Sequence, residues 1–142
     1  MNLKAILTTG AILAFAAGAA HAGIIDFAAT LKGASEVPAN TTTGKGELTA
    51  ELDTNNRSLT YTVTYSGLTG PATGAHFHGP AAPGADAPVV IAATDAATPI
   101  SGSATLTDAQ IADLKDGKWY FNVHTKANPG GEIRGQVKRA IY

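Results

Sequence analysis

The feature of this sequence that most constrains its fold is the alternation of apolar and polar residues along several short segments. Leu48, Ala50 and Leu52, for example, alternate with glutamate and threonine. A period of two places the apolar side chains on one face of a strand, which is typical of antiparallel strands buried on one side. This alternation, together with apolar runs bounded by turn residues, predicts strands within 25–31, 48–52, 59–65, 75–78, 89–94, 102–106, 119–125 and 132–137.

About eight short strands separated by turn residues predict an all-β fold, an antiparallel Greek-key β-sandwich with one short helix. Asn55 and Asn56 tolerate turn conformations, so a hairpin is predicted between the second and third strands. The helix is predicted to begin after Thr107, because Gln110 completes a capping box, and to stop at Gly117.

The amino-terminal segment 1–22 has the layout of a secretory signal peptide. Lys4 is its only charge, an apolar stretch follows, and small residues flank His21 before Gly23. Cleavage after Ala22 leaves a single domain, 23–142, in the periplasm or outside the cell, whereas cleavage after Ala20 makes His21 the amino terminus. The apolar stretch is shorter than the roughly 20 residues of a membrane span and no second one follows, so no span is predicted in the mature chain.

Charge and cysteine content exclude several functions. Ten Lys and Arg residues balance eleven Asp and Glu residues without a run of one sign, so nucleic acid is not a predicted partner. The absence of cysteine excludes disulfides, thiolate metal sites and a cysteine nucleophile. No serine lies in a nucleophile-elbow sequence, so serine hydrolase chemistry has no support either.

The histidines carry the clearest chemical signal. His76 and His78 share one face of a predicted strand, and His124 lies on the polar face of another. If the two strands meet, three imidazoles can bind one transition metal ion, with copper preferred over zinc by the usual affinity order, and leave a position open. The competing interpretation is that the histidines are part of the scaffold and that His76 pins the loop 79–88 by hydrogen bonds.

Four further residues are predicted around this site. Glu132 is expected to accept the free N–H of a ligand histidine, and Arg134 to draw an anion toward the metal. The alternative for both is a surface ion pair worth under about 1 kcal/mol. Tyr120 and Asn122 share the face of His124 and are expected to be hydrogen-bond partners of the site, or else simply to hydrate the strand. Glu36 is expected to make a structural contact, and no partner is predicted for Asp86.

The chain contains five separate motifs, in this order: LKGASEVP at 31–38, AHFHGPA at 75–81, PVV at 88–90, YFNVHT at 120–125 and NPGGEIRGQV at 128–137. Together they resemble the CHRD domain, named after chordin, over about residues 27 to 137. The resemblance implies an all-β extracellular domain, found alone in bacterial exported proteins and repeated in the animal developmental antagonist. It implies little about biochemical function, because the role of the family is poorly defined.

A local resemblance to the copper half-site of copper/zinc superoxide dismutase follows from the order of His76, His78, His124 and Arg134. No histidine lies between His78 and His124, so the bridging ligand and the zinc site of that enzyme are absent. Three functions are therefore considered: transition-metal binding or handling, an interaction module that binds an extracellular or periplasmic protein or matrix, and a copper-dependent oxidoreductase that uses Arg134. The sequence predicts no oligomeric state.

Overall fold

The computed structural model describes residues 23–141. The predicted signal peptide and its cleavage site lie outside the described residues. One short helix, α1 (Asp108–Lys115), and a single 3-10 turn at Gly33–Ser35 accompany the strands. The strands are β1 (Ile24–Lys32), β2 (Lys45–Asp53), β3 (Ser58–Ser66), β4 (Ala72–His78), β5 (Val89–Ala92), β6 (Ile100–Thr105), β7 (Tyr120–Thr125), β8 (Ile133–Gln136) and β9 (Lys138–Arg139).

The strands form one antiparallel sheet in the order β5-β4-β7-β8-β1-β2-β3-β6, and the short β9 pairs with β1. Several neighbours in this order are distant along the chain, as the Greek-key prediction requires. The two edge strands, β5 and β6, are consecutive in the sequence, so the sheet curls until it is nearly closed. The predicted all-β fold with about eight strands and one short helix is confirmed.

The apolar core lies inside the curled sheet and follows the period-two pattern of the sequence. Tyr61 on β3 meets Phe77 on β4 edge to face, with ring centroids 4.9 Å apart, although these strands lie near opposite ends of the strand order. Phe77 also packs against Phe121, and all three rings belong to one buried cluster. The two halves of the sheet therefore pack face to face and bury their aromatic residues between them.

Local signals fix the connections as the sequence predicts. In the turn between β2 and β3, Asn55 N donates to Asp53 Oδ1 and Ser58 N donates to Asn56 Oδ1. Thr107 and Gln110 form the reciprocal capping box before α1. Among the described residues, no helix combines the length and apolar character needed to cross a membrane.

Candidate metal centre

Strands β4 and β7 are antiparallel neighbours, so the two histidine motifs meet. His76 pairs in register with Asn122, and Gly74 pairs with His124. Because side chains alternate across a strand, Phe77 and Phe121 point into the core and the histidines point to the outer face. The outer face therefore carries a polar group of residues: His76, His78, His124, Asn122 and Tyr120.

The three imidazoles converge closely enough to share an ion. One ring nitrogen from each of His76, His78 and His124 lies within 4.8 Å of the others. The closest approach is 3.1 Å, between His76 Nδ1 and His124 Nε2. His78 is only 9% exposed, and the other two histidines are half-buried. The condition that the sequence left open, that the two strands meet and bring the three histidines together, is met.

Backbone carbonyls of two loops orient two of the rings. His78 Nδ1 lies 2.9 Å from the Ala87 carbonyl oxygen, and His124 Nδ1 lies 2.8 Å from that of Pro129. A carbonyl can only accept, so each Nδ1 carries the proton and donates it. In the neutral rings, each Nε2 then has a free lone pair directed toward the other histidines, as in protein metal sites whose ligand histidines donate their second N–H.

The two other outer-face residues of β7 contact the histidines directly. Asn122 Oδ1 lies 2.9 Å from both His78 Nε2 and His124 Nε2. The Tyr120 ring stacks on His78 with centroids 4.7 Å apart and planes 6° apart. The Tyr120 hydroxyl accepts a hydrogen bond from Ala87 N at 3.1 Å. Both residues are at most 2% exposed, so they form a buried polar layer instead of a hydrated strand face.

Burial favours the uncharged imidazole that a metal requires. Burial lowers the pKa of His76, and the nearby His124 and His78 lower that pKa further. Burial also lowers the pKa of His78, although its hydrogen bonds to Ala87 and Asn122 act in the opposite direction. Both rings are therefore neutral near pH 7, the state in which nitrogen can bind a metal.

Arg134 is buried beside this layer, and its guanidinium is engaged on every nitrogen. Its Nε donates to Glu36 Oε2 at 3.0 Å, Nη1 to the Ala85 carbonyl at 3.2 Å, and Nη2 to Asp86 Oδ1 at 2.7 Å. Its Cζ lies 4.0 Å from the centroid of the Tyr120 ring. Because Arg134 is only 4% exposed, its ion pair with Glu36 is buried and not at the surface. Asp86, for which the sequence suggests no partner, thus ties the loop 79–88 to β8.

Glu132 contacts a different set of residues from the one predicted. Its carboxylate accepts hydrogen bonds from the hydroxyl groups of Thr42, Thr69 and Thr125 and from the Asn128 amide. Among the described residues it makes no hydrogen bond to a histidine, and the carbonyls of Ala87 and Pro129 take the role predicted for it. Burial raises its pKa, but the threonine donors outweigh burial and lower that pKa from 4.5 to about 2.

The sequence did not predict the two carbonyls that orient the histidines, and it did not predict that Glu36 would pair with Arg134. Any residue type supplies a carbonyl, so Ala87 and Pro129 carry no chemical signal in the sequence. The one available hint is position, since 79–88 directly follows the histidine pair and 126–132 begins two residues after His124. Glu36 makes the predicted structural contact, but it makes it with Arg134, whose guanidinium lies over the Tyr120 ring beside the histidine cluster.

The fold and the site together define a small all-β domain with a partly buried histidine cluster on the outer face of its sheet. The family model for the CHRD domain matches residues 27–137, and the chain belongs to this family. The three histidines and the carbonyls that orient them all lie within the matched span. No curated protein and no solved structure matches the chain.

Proposed function

We propose that this CHRD-domain protein binds one transition metal ion through His76, His78 and His124 and serves in metal binding or handling outside the cytoplasm. The observation that carries the proposal is the convergence of three imidazole nitrogens within 4.8 Å. The carbonyls of Ala87 and Pro129 add support, because they leave the Nε2 atoms of two rings free as ligands.

Copper is the preferred ion in this proposal, and zinc is the second. Imidazole suits both metals, and Cu(II) binds a given nitrogen site more tightly than Zn(II). Without cysteine the site cannot be a blue-copper electron-transfer centre. The export part of the proposal is supported by the signal-like segment 1–22.

Calorimetric titration of the metal-stripped protein with Cu(II) and with Zn(II) tests the proposal. We expect one-to-one binding that is lost when His76, His78 and His124 are all changed to alanine. The matched control changes Thr60, Thr62 and Thr64 to alanine, since these three exposed side chains lie on the outer face of β3. Circular dichroism must show that both triple variants are folded, and the control is expected to bind like the original protein.

Absence of binding by the folded original protein would contradict the proposal and turn the search toward a protein or matrix partner. Binding that persists in the folded histidine variant would place the ion elsewhere. If binding is confirmed, a superoxide assay of the copper-loaded protein separates metal handling from redox catalysis. Catalysis predicts that superoxide is consumed and that this activity is lost in His78→Ala, whereas metal handling predicts no such activity.

A further inference from the structure

Asn122 places an oxygen atom, a fourth possible metal ligand, among the histidine nitrogens. Its Oδ1 lies 2.9 Å from His78 Nε2 and 2.9 Å from His124 Nε2. The side chain is 1% exposed, so solvent does not compete for this oxygen. Asn122 pairs in register with His76 across β4 and β7, which places its side chain between the two histidine motifs.

The surroundings of Asn122 fix which end of its amide points to the histidines. Its Nδ2 faces the Gly130 carbonyl oxygen, 3.5 Å away. A Cβ built on Gly131 would lie 2.7 Å from this Nδ2 and would also clash with Glu36 Oε1, so both atoms border the same small space. Rotating the amide by half a turn would turn the NH₂ toward the two histidine nitrogens, but it would direct Oδ1 at the Gly130 carbonyl and at the buried carboxylate oxygen of Glu36, and two facing oxygen acceptors repel each other. The oxygen therefore points to the histidines.

Glu36 is positioned to maintain this orientation. The Arg134 guanidinium holds its Oε2 through a buried 3.0 Å contact. Its Oε1 is the one buried side-chain oxygen or nitrogen in 23–141 for which no hydrogen bond is formed. An unpaired carboxylate oxygen in a buried site is costly, and an amide NH₂ is the group that relieves it. The Asn122 NH₂ borders the same space without forming a hydrogen bond to Oε1, and an amide oxygen in its place would instead face this unpaired acceptor.

The histidine nitrogens and the amide oxygen thus form a cluster of acceptors. His78 and His124 each present an Nε2 lone pair, and Asn122 adds the lone pairs of Oδ1. His76 can supply at most one proton, through the Nδ1 that lies 3.1 Å from His124 Nε2. Converging acceptors that outnumber the available protons repel one another, and a cation at their centre removes the repulsion.

We propose that Asn122 Oδ1 is the fourth protein ligand of the metal centre and makes the site selective for divalent Cu(II) or Zn(II) over Cu(I). This inference rests on the proposed function. Oxygen donors suit harder cations, whereas Cu(I) prefers soft sulfur ligands. Four protein ligands also fill a tetrahedral site, which is typical of binding sites and not of catalytic sites that keep a position open. Glu36 is a positioning residue, since it acts on the metal only through Asn122.

The test compares Asn122→Ala and Asn122→Asp with the original protein. Affinities for Cu(II), Zn(II) and Cu(I) are measured by competition with chelators, and the Cu(II) site is characterised by electron paramagnetic resonance. Gln136→Ala is the matched control, because Gln136 is a neighbouring outer-face amide whose Nε2 donates to the Ala81 and Gly117 carbonyls and not to the histidines. Asn122→Asp keeps the ligand oxygen and nearly the same shape, and it is made both alone and together with Glu36→Gln, which removes the carboxylate that the second aspartate oxygen would face. These variants report on the site even if Asn122→Ala does not fold.

We expect Asn122→Ala to weaken Cu(II) and Zn(II) binding at least about tenfold, with a much smaller change for Cu(I). Asn122→Asp is expected to bind both divalent ions at least as tightly as the original protein, and its Cu(II) spectrum is expected to shift. Glu36→Gln is expected to weaken divalent binding by a smaller factor and to change the spectrum toward that of Asn122→Ala.

Two negative results have different meanings. If the original protein binds no metal, the proposed function itself fails and this inference fails with it. If the original protein binds metal but Asn122→Ala and Asn122→Asp keep the same divalent affinities and the same Cu(II) spectrum, the histidine site stands and the fourth ligand is overturned.

Discussion

Two buried glutamates lie next to Gly131, Glu132 as its neighbour in the sequence and Glu36 against its α-carbon, and their environments differ sharply. Glu132 is fully buried and accepts hydrogen bonds from three threonines and an asparagine. Glu36 is 4% exposed, has Arg134 on one oxygen, and has no hydrogen bond on the other. The donors lower the pKa of Glu132 to about 2, whereas burial raises the pKa of Glu36 despite the opposing charge of Arg134.

The two carboxylates also differ in the part of the molecule that their contacts connect. The partners of Glu132 come from three segments, around Thr42, around Thr69 and along 125–128, so this carboxylate ties together loops at one end of the sheet. Glu36 contacts Arg134 and borders the Asn122 amide, so its incomplete hydrogen bonding lies next to the histidine cluster. Unsatisfied buried groups in native proteins often mark functional sites.

The largest expected effect is the loss of stability when Glu132 is changed to alanine. The substitution leaves several buried donors without an acceptor, and we expect the free energy of unfolding to fall by about 4 kcal/mol at pH 7. Urea denaturation of the metal-free protein measures this loss. The control is Glu51→Ala, an exposed residue of β2, for which a change within about 0.5 kcal/mol is expected. A loss below about 1 kcal/mol for Glu132→Ala would contradict the structural role.

In acid, the contributions of Glu132 and Glu36 to the free energy of unfolding should change with pH in opposite directions. The pKa of Glu132 lies near 2 in the folded protein, below the ordinary 4.5, so its contribution is complete above pH 4.5 and is lost as the pH falls toward 2. That contribution is on the order of 3 kcal/mol, from 1.36 kcal/mol per pKa unit. For Glu36 the pKa is raised, so its ionised form opposes folding, and protonation in acid relieves this penalty.

Subtracting the unfolding free energies of Glu132→Gln and of Glu36→Gln from that of the original protein isolates each group across pH 2 to 7. The stability advantage of the original protein over Glu132→Gln should shrink as the pH falls. Relative to Glu36→Gln, the original protein should become more stable as the pH falls through the acid range. Slopes of the same sign for the two differences would show that the two carboxylates have similar environments.

The sequence predicts the parts of this molecule that depend on periodicity. Alternation places Phe121 and Val123 in the core and His124 on the opposite face, as observed. It also places His76 and His78 together, so convergence on His124 required only that β4 and β7 be neighbours. The turn and capping residues likewise act over two or three positions, within the range that local sequence patterns describe.

The parts that could not be predicted are contacts between distant segments and contacts made by the backbone. Arg134 and Glu36 are 98 positions apart, and nothing in either segment specifies the other. The loops that deliver the Ala87 and Pro129 carbonyls have conformations set by tertiary contacts, including the pairing of Asp86 with Arg134. Glu132 was expected near a histidine because it lies two positions from Arg134, but the threonine donors around it come from other segments.

The smallest expected effect on stability concerns Gly131, whose missing side chain leaves room for both Glu36 and Asn122. Its φ of +128° lies in the region that favours glycine, and a Cβ there would clash with both side chains. We expect Gly131→Ala to reduce the free energy of unfolding by about 2 kcal/mol. Because it displaces the Asn122 amide, it should also weaken Cu(II) binding by roughly tenfold.

Gly130→Ala is the matched control for this change, because a Cβ at the adjacent Gly130 meets nothing within 4 Å. Stability is measured by urea denaturation and Cu(II) affinity by chelator competition on the same preparations. If Gly131→Ala loses stability but keeps the Cu(II) affinity of Gly130→Ala, the close packing of Glu36 on Asn122 serves only the fold. The contrast between the two glutamates would then be one of hydrogen bonding alone. A loss of both properties would tie the incomplete hydrogen bonding of Glu36 to the metal centre.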